Sequence, residues 1–200
     1  RKWIAAEVKG AKIFSPNGTE LTIEEASAGN EVGIVLERDQ FDKHVAKEAA
    51  KAGARIMLKT TATAILMVDE TIRGVRVNQL EEEFNIEARC VVAADGYESQ
   101  VGRWAGFRTL LRAGDVTGTL QYRMTNIGPG YDFPNYCEFW LGSIAPAGYI
   151  WGFPKDETTA NVGIGISLDR LHRRQDIKGF LDRWIASQPR MRDAQPLAMV

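Results

Sequence analysis

Three groups of residues in this 200-residue chain are of types, and at spacings, that could do chemistry. Arg38 stands in Leu36-Glu37-Arg38-Asp39-Gln40-Phe41-Asp42, between an apolar run and a helix-periodic one. A guanidinium there offers a planar fork of donors suited to phosphate, against the plain alternative of a surface arginine at a helix start. Asp95-Gly96 follows the apolar run Cys90-Val91-Val92-Ala93-Ala94. At the carboxyl end of a strand an acid can accept from a ribose hydroxyl, and a glycine lets backbone approach a pyrophosphate. Its plain alternative is a strand-to-helix turn. Residues 146–154 read Pro-Ala-Gly-Tyr-Ile-Trp-Gly-Phe-Pro. Alternation at period two puts Tyr149, Trp151 and Phe153 on one face of a strand, with Ile150 and Gly152 on the other. Such a face is either ordinary core or the wall of a pocket for something flat or greasy.

Eight of the chain's 18 aromatic residues fall between Tyr131 and Phe153, a local surplus that calls for a local cause. Downstream, Asn161-Val162-Gly163-Ile164-Gly165-Ile166-Ser167 alternates small with β-branched residues. With its small face beside the aromatic one, Gly163 and Gly165 would leave a trough that an apolar chain could fill. Cys137 reads as a small buried hydrophobe. His44 and His172 lie far apart with no carboxylate or cysteine cluster, so no metal site is expected. Arg170-Leu171-His172-Arg173-Arg174 reads as a solvated approach to a helix, with peripheral membrane-surface contact as the alternative.

The elements that must position these groups follow from periodicity. Asn17-Gly18 between β-prone runs predicts a hairpin. Gly33 to Leu58 reads as strand–helix–strand. The helix is marked by Phe41, Val45, Ala49 and Ala52, with Asp39 as N-cap and Gly53 as the stop. Ala62–Val68, Gly74–Leu80 and Phe84–Ala88 read as a meander, Cys90–Ala94 as a strand buried on both faces, and Glu98–Ala105 as a helix. Longer strands are expected at Val116–Met124, Tyr136–Leu141, Tyr149–Phe153 and Ala160–Leu168. An amphipathic helix over Asp176–Ser187 turns Ile177, Phe180, Leu181, Trp184 and Ile185 to one side.

Composition excludes several classes. A hydrophobic fraction of 44% with 26% charged residues is globular. A net charge of −1 gives no electrostatic reason for a nucleic-acid partner. Two cysteines without paired spacing argue against a disulfide scaffold and fit a reducing, cytoplasmic setting. No apolar run reaches the length of a membrane span.

The string Cys90-Val91-Val92-Ala93-Ala94-Asp95-Gly96-Tyr97-Glu98-Ser99-Gln100-Val101-Gly102-Arg103 resembles a fingerprint of FAD enzymes of the p-hydroxybenzoate hydroxylase fold. The Arg38 segment and the Pro-x-x-Tyr-x-Trp-x-Phe-Pro string, in that order along the chain, resemble the geranylgeranyl reductase family. The likeness covers roughly Gly29 to Gly165, and the Tyr-Trp-Phe stretch is its most specific piece. It implies that Arg38, Asp95, Gly96 and, through backbone, Ala62 hold FAD. It also implies that Tyr149, Trp151, Phe153 and Gly163 hold an isoprenoid chain of a lipid or pigment. NADPH or a ferredoxin would be the electron donor; no catalytic residue is assigned. Gly114-Asp115 lies too soon after Asp95-Gly96 to be the family's later Gly-Asp flavin motif.

No Gly-x-Gly-x-x-Gly and no initiating Met occur, so the chain reads as an internal fragment, colourless by itself. The expected fold is α/β plus antiparallel β: part of a Rossmann-like FAD-binding domain joined to an antiparallel-sheet substrate domain. Residues 1–35 would supply strands to the substrate sheet, 36–115 the partial FAD-binding domain and 116–200 the substrate domain. The expected activity is saturation of geranylgeranyl double bonds, in the cytoplasm or peripherally at a membrane. Two alternatives stand beside it: another flavoprotein of the same fold (aromatic hydroxylase, halogenase or quinone-linked dehydrogenase), and a lipid-binding module without catalysis.

Overall fold

The Asn17-Gly18 signal is where the first hairpin turns. In the computed structural model, which describes residues 2–24, 33–130, 132–171 and 176–199, β1 (Ile4–Val8) leads into β2 (Gly10–Phe14). β2 turns back into β3 (Glu20–Glu24) and pairs with it antiparallel. The Gly18 amide donates to the Ser15 carbonyl at 3.0 Å, and its φ of +82° is one that glycine adopts without strain.

The chain divides into two compact units, Arg1–Val45 with Ala113–Val200, and Ala46–Arg112. In the first, β1 pairs with β4 (Gly33–Leu36), burying Val8 and Val35. The helix α1 (Arg38–Lys51) starts straight after, and Trp3 packs edge-on against Phe41 at 5.1 Å. Its N-cap is Glu37 rather than Asp39, because the Glu37 carbonyl takes the first helical bonds from the amides of Gln40 and Phe41. Gly53 ends α1 as expected. With φ at +95°, its amide donates to Ala50 and that of Ala54 to Ala49, a Schellman closure.

The same unit carries a seven-stranded sheet ordered β12–β8–β11–β10–β9–β2–β3. Its further strands are β8 (Thr117–Thr125), β9 (Tyr136–Leu141), β10 (Tyr149–Pro154), β11 (Ala160–Ser167) and β12 (Gln195–Met199). Every neighbouring pair is antiparallel except β2 on β9, which is parallel. Strand parity decides what each face does. Ile150, Val162, Ile164 and Ile166 are fully buried on one face, together with Leu181 and Trp184 of the helix α3 (Ile177–Ser187). Trp140 sits there between Phe14, at 5.0 Å, and Trp184, at 4.6 Å. Glu138, also on this face, is held by both terminal nitrogens of Arg190. Pairing is what makes so deep a charge tolerable.

The second unit is built on the meander β5 (Thr60–Val68), β6 (Thr71–Gln79) and β7 (Glu82–Glu87), followed by the short helix α2 (Gln100–Trp104). Two expected strands are not formed. Arg55–Leu58 and Cys90–Ala94 run without regular structure, and Val92, expected to be buried, is 82% exposed. The physical reason is pairing: a β-prone run becomes a strand only where a neighbour takes its amides and carbonyls. Among the described residues neither run has such a neighbour.

Candidate functional site

On the face of the sheet opposite α3, the odd-numbered residues of β10 line up as alternation requires. Tyr149, Trp151 and Phe153 form a continuous aromatic row, with ring centroids 5.9 and 6.1 Å apart. Phe139 of β9, in register with Trp151, meets both Tyr149 and Phe153 edge-on at 5.7 and 5.6 Å. On the other flank, β11 presents Gly163 opposite Trp151 and Gly165 opposite Tyr149. The two glycines have different tasks. A Cβ at Gly163 would overlap the Trp151 indole, so this glycine lets the ring lie down on the strand. Gly165 lines the space beside it.

That space is an open trough of about 450 Å³, with Tyr149, Trp151 and Phe153 along one wall and Thr117, Thr119 and Gln121 of β8 along the other. Gln121 Oε1 accepts from Trp151 Nε1 at 3.0 Å, which satisfies the indole's single polar group and fixes the ring's tilt. The wall therefore presents carbon to whatever lies in the trough. Gln121, the two threonines and Phe139 were not singled out from the sequence. Their spacing in β8 and β9 is ordinary, and only the cross-strand register brings them beside Trp151. The aromatic surplus itself divides by parity: Tyr136 and Trp140 are buried, while Tyr149, Trp151 and Phe153 border the trough and Phe139 packs against Tyr149 and Phe153. Tyr131 lies outside the described residues, as do His172, Arg173 and Arg174 of the basic run. Arg170 pairs with Asp169 at 3.7 Å.

Arg38 is the first residue of α1, one position beyond the residue that follows β4. Its guanidinium is three-quarters exposed and holds Asp42 through Nε and one terminal nitrogen, at 3.2 and 3.1 Å. An exposed pair one helical turn apart is weak, so the fork can be given over to a phosphate.

Asp95 lies in the second unit. Its carboxylate accepts from the Val101 amide and from the Ser99 hydroxyl, both at 2.8 Å. The Val101 amide chiefly, with Ser99, holds its pKa below the usual carboxylate range. Asp95 is thus a capping acid for α2. Gly96 has φ of +83° and nothing near its missing side chain, so its backbone is open to approach. Ala62 is the third residue of β5, opposite Val77. An exposed guanidinium fork in the first unit and, in the second, an ionised acid beside an open glycine are each of the type that binds part of a dinucleotide. The residues present fit FAD.

Comparison with known proteins gives two family matches. The family described as FAD binding domain matches residues 8–138, and the geranylgeranyl reductase catalytic domain matches residues 115–200. The chain is 46% identical to the digeranylgeranylglycerophospholipid reductase of Thermoplasma acidophilum, covering all of this chain and 50% of that protein. It is 48% identical to the reductase of the same name from Methanosarcina acetivorans over 82% of this chain and 40% of that one. Among solved structures, a geranylgeranyl bacteriochlorophyll reductase-like protein from Thermoplasma acidophilum superposes with a TM-score of 0.91 at 46% identity. It covers the whole of this chain with 50% of its own. The myxobacterial chondrochloren halogenase has a TM-score of 0.77 at 15% identity, over 99% of this chain and 48% of that one, and shares the fold alone. The chain spans about half the length of the curated relatives it matches. It belongs to the FAD binding domain family, and its residues from 115 onward are similar to the geranylgeranyl reductase catalytic domain.

Proposed function

We propose that the protein carrying this chain is an FAD-dependent reductase that saturates double bonds of geranylgeranyl chains in lipid biosynthesis. The observation that carries this reading is the aromatic-walled trough of about 450 Å³, formed within the residues that match the geranylgeranyl reductase catalytic domain. A polyprenyl chain has no polar group along its length, so it needs a wall that gains from dispersion and leaves no donor unsatisfied. Tyr149, Trp151 and Phe153 provide that wall, Gly163 seats the indole and Gln121 accepts its N–H. The relatives' names, which specify a digeranylgeranylglycerophospholipid, support a lipid rather than a pigment as substrate.

In this reading Arg38 takes a phosphate of FAD, Asp95 orders the turn before α2, and the backbones of Gly96 and Ala62 approach the cofactor closely. Reduced FAD, when bound, would supply the hydride to one alkene carbon and an acid or water the proton to the other, with NADPH or a ferredoxin as the source of electrons. The protein's part is to hold one alkene against the aromatic wall of the trough at a fixed place. No helix among the described residues is long and apolar enough to cross a membrane. A bilayer lipid would then be met by a cytoplasmic protein docking at the surface.

The test uses the full-length protein with a geranylgeranyl glycerolipid under anaerobic reduction. Flavin absorbance followed by a mass increase of two hydrogens per double bond is the expected result. Absence of flavin would favour a binding module, and flavin with an unchanged chain another flavoenzyme of this fold. Either overturns the proposal.

A further inference from the structure

Glu37 breaks a local rule. Helix N-caps favour short side chains that turn back onto the first free amides, and glutamate is not among them. Glu37 caps α1 with its carbonyl alone, while its carboxylate leaves the helix. It accepts both terminal nitrogens of Arg123, at 2.8 and 3.2 Å, and lies 3.5 Å from Lys155 Nζ. The Lys155 ammonium also donates to the carbonyl of Leu36, the last residue of β4. Its side chain is 4% exposed, and burial pushes its pKa down against the pull of Glu37. A sequestered ammonium sharing one carboxylate with a second cation is a costly arrangement for a mere surface tie.

The three residues stand at particular places. Lys155 follows Phe153 by two residues at the end of β10, and Arg123 follows Gln121 by two on the same face of β8. Phe153 and Gln121 line the trough. Leu36 and Glu37 form the strand–helix corner from which Arg38 projects.

We propose that Lys155, with Arg123 and Glu37, is a positioning residue that fastens the corner carrying Arg38 to the end of the aromatic trough. The spacing between a bound dinucleotide's phosphate and an alkene in the trough is thereby fixed. This rests on the reading of Arg38 as a cofactor residue and of the trough as the isoprenoid site.

The experiment is a double-mutant cycle in the full-length protein, Lys155→Met with Arg38→Ala, reading FAD Kd by fluorescence quenching, kcat and KM for the isoprenoid lipid, and Tm. Lys155→Met is expected to weaken FAD about tenfold and to lower kcat with KM nearly unchanged, yet to add less than about twofold to Kd once Arg38 is alanine. Fully additive effects on Kd would overturn the proposal, since Lys155 would not be acting through Arg38. So would a fall in Tm with Kd and kcat per folded enzyme unchanged, which marks a simple fold staple. If Arg38→Ala alone leaves Kd unchanged, the cofactor reading of Arg38 fails and takes the proposal with it. That outcome is told apart by the single variant. Should Lys155→Met not fold, Glu37→Gln keeps the shape of the cap, removes the shared charge and is held to the same three outcomes.

Discussion

Replacing Trp151 by alanine in the full-length protein separates a substrate wall from a core. A prenyl unit lying on one face of the indole would cover roughly 100 Å², and at ~25 cal/mol per Å² its loss amounts to ~2.5 kcal/mol. At 1.4 kcal/mol per tenfold, kcat/KM for a geranylgeranyl lipid should fall by about 60-fold. Trp151 makes one hydrogen bond, to Gln121, and shares ring contacts with Tyr149 and Phe153 on an open face. Those are worth about 1 kcal/mol each, hence about 3 kcal/mol together, at the low end of the ~3–5 kcal/mol of a tryptophan removed from a closed interior. The assay is kcat/KM over isoprenoids of increasing length, alongside urea unfolding and flavin content. The penalty should grow with chain length until the alkene chain spans the trough, and flavin content should stay unchanged. A penalty independent of chain length would refute the reasoning. So would unfolding by a core-sized amount with kcat/KM per folded enzyme intact.

Three further outcomes follow from the same geometry. Ile150→Ala should cost ~2–5 kcal/mol in urea unfolding whereas Tyr149→Ala should cost under about 1 kcal/mol, because Ile150 is 0% and Tyr149 43% exposed; equal costs would deny the division of faces. Gly163→Ala should destabilise by ~1–3 kcal/mol and alter tryptophan fluorescence, since the new methyl meets the Trp151 ring and stands 2.9 Å from the Leu120 carbonyl. In the 200-residue chain at mildly alkaline pH, iodoacetamide should label exposed Cys90 readily and Cys137 hardly at all, as read by mass spectrometry. Burial pushes the Cys137 thiol up to about 11, so the reactive thiolate is scarce below that pH.

What was legible in the sequence was whatever local order alone determines. Alternation in residues 149–153 and 160–167 fixes which side chains share a face, so the trough wall and the small strand beside it could be read before any pairing was known. The Asn17-Gly18 turn and the Gly53 stop are likewise properties of a few adjacent residues. What could not be read is what distant strands bring together. Gln121 under Trp151, Phe139 across from it, and Glu37 reaching Arg123 and Lys155 all depend on the order β8–β11–β10–β9 and on where β4 ends. The misread strands at Arg55–Leu58 and Cys90–Ala94 fail for the same reason in reverse. Their β-prone composition is real, but a strand is a relation between two segments.

One sheet thus serves two ends by parity. The even positions of β10 and β11 build an interior closed by α3, dense and dry, in which a lost methyl is costly. The odd positions of the same strands carry the trough, where the aromatic surplus is left open and three polar residues of β8 face it. Because both faces hang on one set of backbone hydrogen bonds, the interior's rigidity is transmitted to the trough wall without any loop between them. A rigid wall suits an isoprenoid chain, which offers no hydrogen bond along its length: there, position must come from shape. Gly163 shows how closely the two demands are fitted. It gives up a side chain, which weakens a strand, so that Trp151 can lie flat on it, which only the open face needs.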